Sequence, residues 1–359
     1  MILHVISGLG VGGAEAMLVQ VAGALQARGM LQHVVSLTGR GENAARLEAR
    51  GVPVSSLELR SMQQAPAALL RLRRLIARER PTVVQGWMYH GNLLAALGHG
   101  LAPGRARRQL YWGLRASNMD AARYGRLNAI CARLSHWPQI VIANSHAGVH
   151  AHLECGYRPR RIEVIGNGID TGRFRPSPDL RREVRLELGL PHDAVVAIHV
   201  ARIDPMKDHA TFLAAMAKTS NVTALLAGAG TQELAHLPKV RALGLRHDIE
   251  RLYPAADLVV SSSAFGEGFS NSVAEGMSAG LIPIATDVGD ARAIVGEAGF
   301  IVPVGDADAL AAAIDAVASM APDERLRHGL AARAHVEGNF TIEMAIEAFA
   351  RLYDHAPSS

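Results

Sequence analysis

Short apolar runs alternate along the chain with longer stretches in which apolar residues recur every three or four positions. Residues 2–7 form the first run and end in glycines, the pattern of a strand buried on both faces. Residues 15–28 carry helical spacing and stop at Gly29, a helix-ending glycine. The alternation continues with strands over 33–37, 52–57, 83–85, 109–112 and 140–143. Between them lie helices over 43–50, closed by Gly51, over 65–80, closed by Pro81, and from about 92. The second half repeats the plan, with strands over 194–200, 223–227, 258–261 and 282–285 and helices over 210–218, 271–278 and 307–320. Strands separated by helices predict βαβ units and parallel sheets. The predicted fold is therefore α/β, with two Rossmann-like doubly wound domains. A Gly-, Pro- and Arg-rich stretch over 155–180 is the expected linker. The expected division is 1–165, 166–337 and a final segment 338–359 whose helix packs back on the first domain. Such sheets take ligands at the carboxyl ends of their strands. An interdomain cleft is expected if those ends face each other.

Composition narrows the class. The 359 residues are 49% hydrophobic and 19% charged, which excludes a disordered or fibrous chain. The net charge of +4 conceals a split: residues 1–170 hold 20 Arg and no Lys against nine Asp and Glu, and residues 171–359 hold 17 Lys and Arg against 24 Asp and Glu. The two halves are expected to face different partners. The opening residues lack a basic n-region, so no signal peptide is expected. The most apolar long stretch, 301–320, carries Asp306, Asp308 and Asp315, so no membrane-spanning helix is expected either. Cys131 and Cys155 lack metal spacing and read as reduced thiols of a cytoplasmic protein.

Three loops following strands carry candidate chemistry. Gly8-Leu9-Gly10-Val11-Gly12-Gly13 opens a helix, where backbone N–H groups accept an anion and glycines admit a ligand closely. It also matches G-x-G-x-x-G, but no carboxylate ends the second strand, where Arg40 lies instead. An NADP-dependent oxidoreductase is thus the alternative reading. The second loop, Ala201 to Asp208, holds Arg202 and Lys207, one of only three lysines in the chain. The two cations are suited to clamp a diphosphate. The third runs from Ser263 to Met277 and holds Glu267 and Glu275. Eight residues of helix separate such a pair by about 12 Å, too far for acid and base on one glycosidic bond. Two contacts to one long ligand fit better. Between them Phe269, Ser270 and Asn271 begin a helix with an anion-accepting end. Asp306-Ala-Asp308 spells a metal-diphosphate motif but reads as a helix cap. His146, His150 and His152 lack a carboxylate partner, so no metal site is expected.

These segments, with Val164 to Asp170, Ala256 to Ser263 and Ala285 to Asp290, resemble retaining glycosyltransferases of family 4 over essentially the whole chain. The resemblance implies the GT-B fold and transfer of a hexose from a nucleotide-diphosphate sugar, UDP- or GDP-linked, with UDP favoured and no metal or other cofactor. It implies that Gly12 and Gly13 approach the donor diphosphate or sugar, and that Arg202 and Lys207 bind the diphosphate. By the same token Glu267 binds hydroxyls of the transferred sugar, Glu275 holds the ribose hydroxyls, and Phe269, Ser270 and Asn271 contact the phosphates through main and side chains. Residues 245–249 would lie by the base. Many members carry an acceptor-side His; here the matching stretch, Trp112 to Ala116, has Arg115, and His90 is the candidate instead. A non-catalytic sugar-nucleotide-binding homologue is a further alternative. The acceptor would be a saccharide or lipid-linked saccharide of polysaccharide or lipopolysaccharide assembly. Helix 65–80 interleaves Arg71, Arg73, Arg74, Arg78 and Arg80 with leucines, a surface for an anionic membrane or an ordinary solvated face. No nucleic-acid partner is expected.

Overall fold

The computed structural model describes residues 1–354 except 11, 118–120 and 236–238. The chain divides into two compact units. The first is Met1–Gly168 with Glu343–Ser359, and the second is Ile169–Ile342.

The first unit is built on β1 (Ile2–Ile6), β2 (Gln32–Ser36), β3 (Val54–Ser56), β4 (Val83–Trp87), β5 (Gln109–Leu114), β6 (Ile140–Ala143) and β7 (Ile162–Val164). They form one parallel sheet in the order β3-β2-β1-β4-β5-β6-β7. The second unit holds β8 (Val195–Val200), β9 (Val222–Ala227), β10 (Val240–Ala242), β11 (Leu258–Ser261), β12 (Ile282–Thr286) and β13 (Phe300–Val302), also parallel, ordered β10-β9-β8-β11-β12-β13. Central strands are buried and mostly apolar because helices cover both faces, with His4, Gln85 and His199 as buried polar residues of β1, β4 and β8. In β8, Val195 and Ala197 join one core with Phe212 and Ile314, while Val196 and Ile198 join the other with Leu225 and Val259.

The strand order explains where ligands bind. From β1 the chain first builds outward to β2 and β3, then returns to β4 on the other side. From β8 it builds to β9 and β10, then returns to β11. Each reversal separates two adjacent loops at the carboxyl edge and opens a crevice there. In the first unit those loops follow β1 and β4; in the second they follow β8 and β11.

The stretch expected to be linker carries more order than its composition indicates. It contains β7 and the start of the helix Pro178–Glu187, and the units divide after Gly168. A three-residue edge strand has too few apolar positions to show a period, and Val164 is exposed. The edge strands β10 and β13 also lie outside the predicted set, whereas β3, of equal length, falls within the expected 52–57. The helix start was written in the sequence: Ser177 accepts from Leu180 N at 3.3 Å and Pro178 occupies the first turn.

One buried staple fastens that helix to the second sheet. Arg185, on Pro178–Glu187, donates to Asp257 Oδ2 at 2.9 Å, to Ala255 O at 2.9 Å, and to the carbonyls of Pro191, His192 and Ala194 at 2.8–3.0 Å. Asp257 also accepts from Arg181 at 2.7 Å and from the Val196 backbone at 2.8 Å. The final helix, Ile342–Asp354, sets Phe349 against Trp87 and Tyr353 against Tyr111, with ring centroids 6.1 and 6.2 Å apart. Among the described residues no helix is long and apolar enough to cross a membrane.

Candidate active site

In the second unit, the loops after β8 and β11 meet in one ion pair. Lys207 ends the turn Pro205–Lys207, and its Nζ pairs with Glu267 Oε1. Both side chains are mostly buried, 17% and 12% exposed, so the pair sits where water screens it little. Asp204 starts the turn by accepting from Met206 N at 3.0 Å. Asp208 ends it in a left-handed conformation, φ 44°, and caps the next helix through Thr211 N at 3.1 Å. Ser263 Oγ donates to the same Glu267 oxygen at 3.0 Å. Gly289, at φ +64°, lets a neighbouring loop lie against this one, since a Cβ there would meet Glu267 O at 2.4 Å and Gly268 O at 2.7 Å. The G-D sequence at 289–290 needs glycine for that approach, and Asp290 N donates to Gly268 O at 3.0 Å.

Beyond Glu267 the helix Asn271–Ser278 begins. Of the main- and side-chain contacts expected from Phe269, Ser270 and Asn271, the Phe269 side chain is not free to make one: its ring is in the core, 5.5 Å from that of Phe340. Ser270 occupies the N-cap position, yet its hydroxyl makes no cap bond, and among the described residues its buried Oγ has no hydrogen-bond partner. Glu275 lies one turn into the helix and accepts from Tyr253 Oη at 3.2 Å; that hydroxyl also meets Ser272 O at 3.0 Å. Burial pushes the Glu275 carboxyl up to about 7, a shift only partly offset by the Tyr253 bond. Tyr253 is buried against it and carries no motif signal of its own; only the fold brings it there.

Arg202 stands apart from the Lys207–Glu267 pair in the described contacts. Its Nε and Nη2 both donate to Asp204 Oδ2, at 3.1 and 2.7 Å, and it is largely exposed. The i, i+2 spacing that supplies this local partner was visible in the sequence.

In the first unit, Gly12 is the N-cap of the helix Gly13–Ala27, extended at φ −179°. A Cβ on Gly12 would stand 2.3 Å from Glu15 Oε2, so the glycine makes room for the carboxylate over the helix start. Burial raises the Glu15 carboxyl. The loop is pinned by Asn43, whose N donates to Leu9 O at 3.0 Å and whose Nδ2 donates to Gly10 O at 2.6 Å. Val11 lies outside the described residues. Across the same crevice, His90 is exposed in the first turn of the helix Met88–Leu101, its ring 6.4 Å edge-on from that of Tyr124. Arg115 follows β5 and donates to Ile165 O at 3.1 Å, with its guanidinium 4.8 Å over the Trp87 ring. Burial lowers it to about 10.

The discounted motifs are structural. Asp306 caps the helix Ala307–Ser319 through Ala309 N at 2.9 Å, and Asp308 pairs with Lys218. His152 is buried between Gly148 O and Tyr89 Oη. Among the described residues no three His, Cys, Asp or Glu side chains group to hold a metal ion.

The two tandem doubly wound units, with these loops at their switch points, have the GT-B fold. Family models agree: that of glycosyltransferase family 4 matches residues 11–173, and that of glycosyl transferases group 1 matches residues 194–320. The chain belongs to these family 4-like glycosyltransferases. The lipopolysaccharide core biosynthesis glycosyltransferase LpsE of Rhizobium meliloti (strain 1021) is 27% identical over 366 aligned residues, covering 96% of this chain and 97% of that protein. The putative glycosyltransferase EpsD of Bacillus subtilis (strain 168) is 31% identical over 172 residues, 44% of this chain and 45% of its own. Among solved structures, Anabaena HepE in complex with UDP-glucose superposes with a TM-score of 0.86 at 24% identity, covering 98% of this chain and 99% of HepE. WaaG, a glycosyltransferase involved in lipopolysaccharide biosynthesis, does so at 0.70 and 14%, covering 97% and 98%.

Proposed function

We propose that the protein transfers a hexose from UDP-glucose or a similar UDP-sugar, with retention at the anomeric carbon, to a saccharide or lipid-linked saccharide of lipopolysaccharide or polysaccharide assembly. The observation that carries this reading is the nearly buried Lys207–Glu267 pair at the switch point of the second sheet. The similarity to LpsE and to the UDP-glucose complex of HepE supports the donor and the pathway class.

In this reading the bond between the anomeric carbon and the β-phosphate oxygen breaks, and the leaving UDP gains charge on that oxygen. Lys207 turns its ammonium to it, together with the backbone N–H groups at 269–271, an electrostatic stabilisation that needs no reorganising solvent. Arg202 exchanges its Asp204 contact for a phosphate. Glu267 accepts hydroxyls of the sugar and Glu275 the ribose diol. Gly12 and Gly13 border the reacting sugar, and His90 lies on the acceptor side. The acceptor hydroxyl attacks from the leaving-group face, its oxygen bonding to the anomeric carbon while its proton passes to the departing β-phosphate oxygen. No metal or other cofactor enters this scheme. A lipid-linked acceptor suits the first unit, where Leu70, Arg71, Arg74 and Arg78 are all exposed on the helix Ala65–Glu79.

Calorimetry with UDP-glucose tests the reading. UDP-glucose is expected to bind and NADP is not; binding of NADP alone would restore the oxidoreductase. The affinity has a direction with pH. A carboxylate accepts both ribose hydroxyls and a neutral acid does not, and the Glu275 carboxyl titrates at about 7. Affinity therefore rises from pH 6 to pH 8, and Glu275→Gln flattens the profile. The linked effect on stability runs the other way. A carboxyl raised on folding favours the fold most below its unfolded pKa, and that contribution is lost as pH rises through about 7.

A further inference from the structure

We infer that Ser262 is a positioning residue: its hydroxyl sets the backbone of Lys207 so that the ammonium meets Glu267. The inference rests on the reading of Lys207 as the diphosphate cation and adds a residue to it.

Ser262 and Ser263 leave the carboxyl end of β11 side by side and serve opposite halves of the ion pair. Ser263 Oγ donates to the Glu267 carboxylate at 3.0 Å. Ser262 Oγ donates to the carbonyls of Lys207 and Asp208, both at 2.9 Å. One hydroxyl thus holds two successive carbonyls, at the point where Asp208 adopts its left-handed conformation. Such a conformation in a non-glycine residue is costly and persists only where neighbours over-determine it. The other restraints come from the same strand exit and from the next helix. Ala264 N donates to Met206 O at 2.8 Å, and the Asp208 carboxylate holds Thr211 N and Oγ1.

The Ser262 proton is committed to these carbonyls because its oxygen is occupied from below. His199, fully buried in β8, donates from Nε2 to Ser262 Oγ at 3.1 Å. Among the described residues its Nδ1 has no hydrogen-bond partner, which matches a neutral ring carrying its proton on Nε2. Burial holds His199 in that neutral state. Thr286 Oγ1 fixes the other serine by donating to Ser263 O at 2.6 Å. The donor chain from His199 through Ser262 therefore ends on the backbone of Lys207.

The chain has three lysines, and this provides a direct readout. Amine acetylation followed by mass spectrometry reports Lys207 against Lys218, which is half exposed and remote from Ser262 in every described contact. In Ser262→Ala, Lys207 is expected to label severalfold faster at an unchanged Lys218 rate. The release of UDP from UDP-glucose is expected to fall in kcat by about a hundredfold, with KM little changed, since misplacement by an ångström costs on that order. In a Lys207→Ala background Ser262→Ala is expected to have no further effect. Should Ser262→Ala fail to fold, His199→Phe removes only the donor to the Ser262 oxygen and is read in the same way. Parental labelling and kcat, or an undiminished effect in the Lys207→Ala background, would overturn the inference. If Lys207→Ala itself keeps full turnover, the reading of the site fails instead, whatever Ser262 does.

Discussion

Lys207→Ala is expected to lower the turnover of UDP-glucose by about 10²–10³-fold, equivalent to about 2.7–4 kcal/mol of transition-state stabilisation. The size follows from where the ammonium sits. It is mostly buried, paired to a carboxylate in the same condition, and placed by a short turn rather than by a mobile loop. A charge held in such a place meets the developing charge of the leaving diphosphate without first shedding solvent. Deleting it also leaves Glu267 without its ion partner beside an anionic donor, which adds to the loss. That second effect can be separated. A Lys207→Met, Glu267→Gln double variant contains no lone buried charge, so it is expected to unfold near the parental temperature and still to lose turnover. Glu267→Gln alone keeps the shape of the side chain and removes its charge. It is expected to reduce turnover less than Lys207→Ala does. Steady-state release of UDP and thermal unfolding, measured on the same preparations, decide the matter. A Lys207→Ala variant that turns over at close to the parental rate would remove the pair from the mechanism.

The largest expected effect on stability lies elsewhere in the second unit. Arg185→Ala is expected to cost about 3–5 kcal/mol, the range for breaking a buried ion pair by removing one partner. Its side chain is 4% exposed. Four carbonyls and one carboxylate oxygen accept from it, and among the described hydrogen bonds no other side chain donates to Ala255, Pro191, His192 or Ala194. Asp257 would retain Arg181 and the Val196 backbone N–H, which limits the loss but does not restore the carbonyls. For a unit of this size the change amounts to a fall of about 6–20 °C in the unfolding transition. Arg185→Lys is not expected to rescue it, because one ammonium cannot reproduce the spread of the guanidinium fork. Calorimetric unfolding of the full chain reads this directly. A shift of under a degree or two would show that the helix Pro178–Glu187 is held by its apolar face alone.

The two residues differ in how far the sequence reveals them. Lys207 stands out because lysine is rare in this chain and follows a strand. Arg185 lies among Arg181 and Arg182 on one short helix, with nothing to distinguish the buried one. Asp257 precedes β11 like many turn acids. Their meeting across about 70 residues is a property of the packing.

The sequence by itself determined the α/β class, most central strands, and the loops that leave their carboxyl ends. These are local properties: a run of apolar residues buried on two faces, a glycine that ends a helix, a lysine or glutamate at a strand's exit. The helix cap at Asp306 was legible on the same ground. Only the tertiary structure decided the partners. It paired Lys207 with Glu267 across 60 residues and turned Phe269 into the core while leaving its backbone at the helix start. It also placed Tyr253 on Glu275 and put Ser262 and Ser263 to opposite uses at one strand end. It kept Arg202 on Asp204, and it resolved the edge strands β7, β10 and β13. The reason is common to all of these. Spacing along a chain fixes which face of its own element a side chain occupies, whereas the neighbour on that face is set by sheet order and register. In this fold both are closed by contacts between residues far apart in the chain.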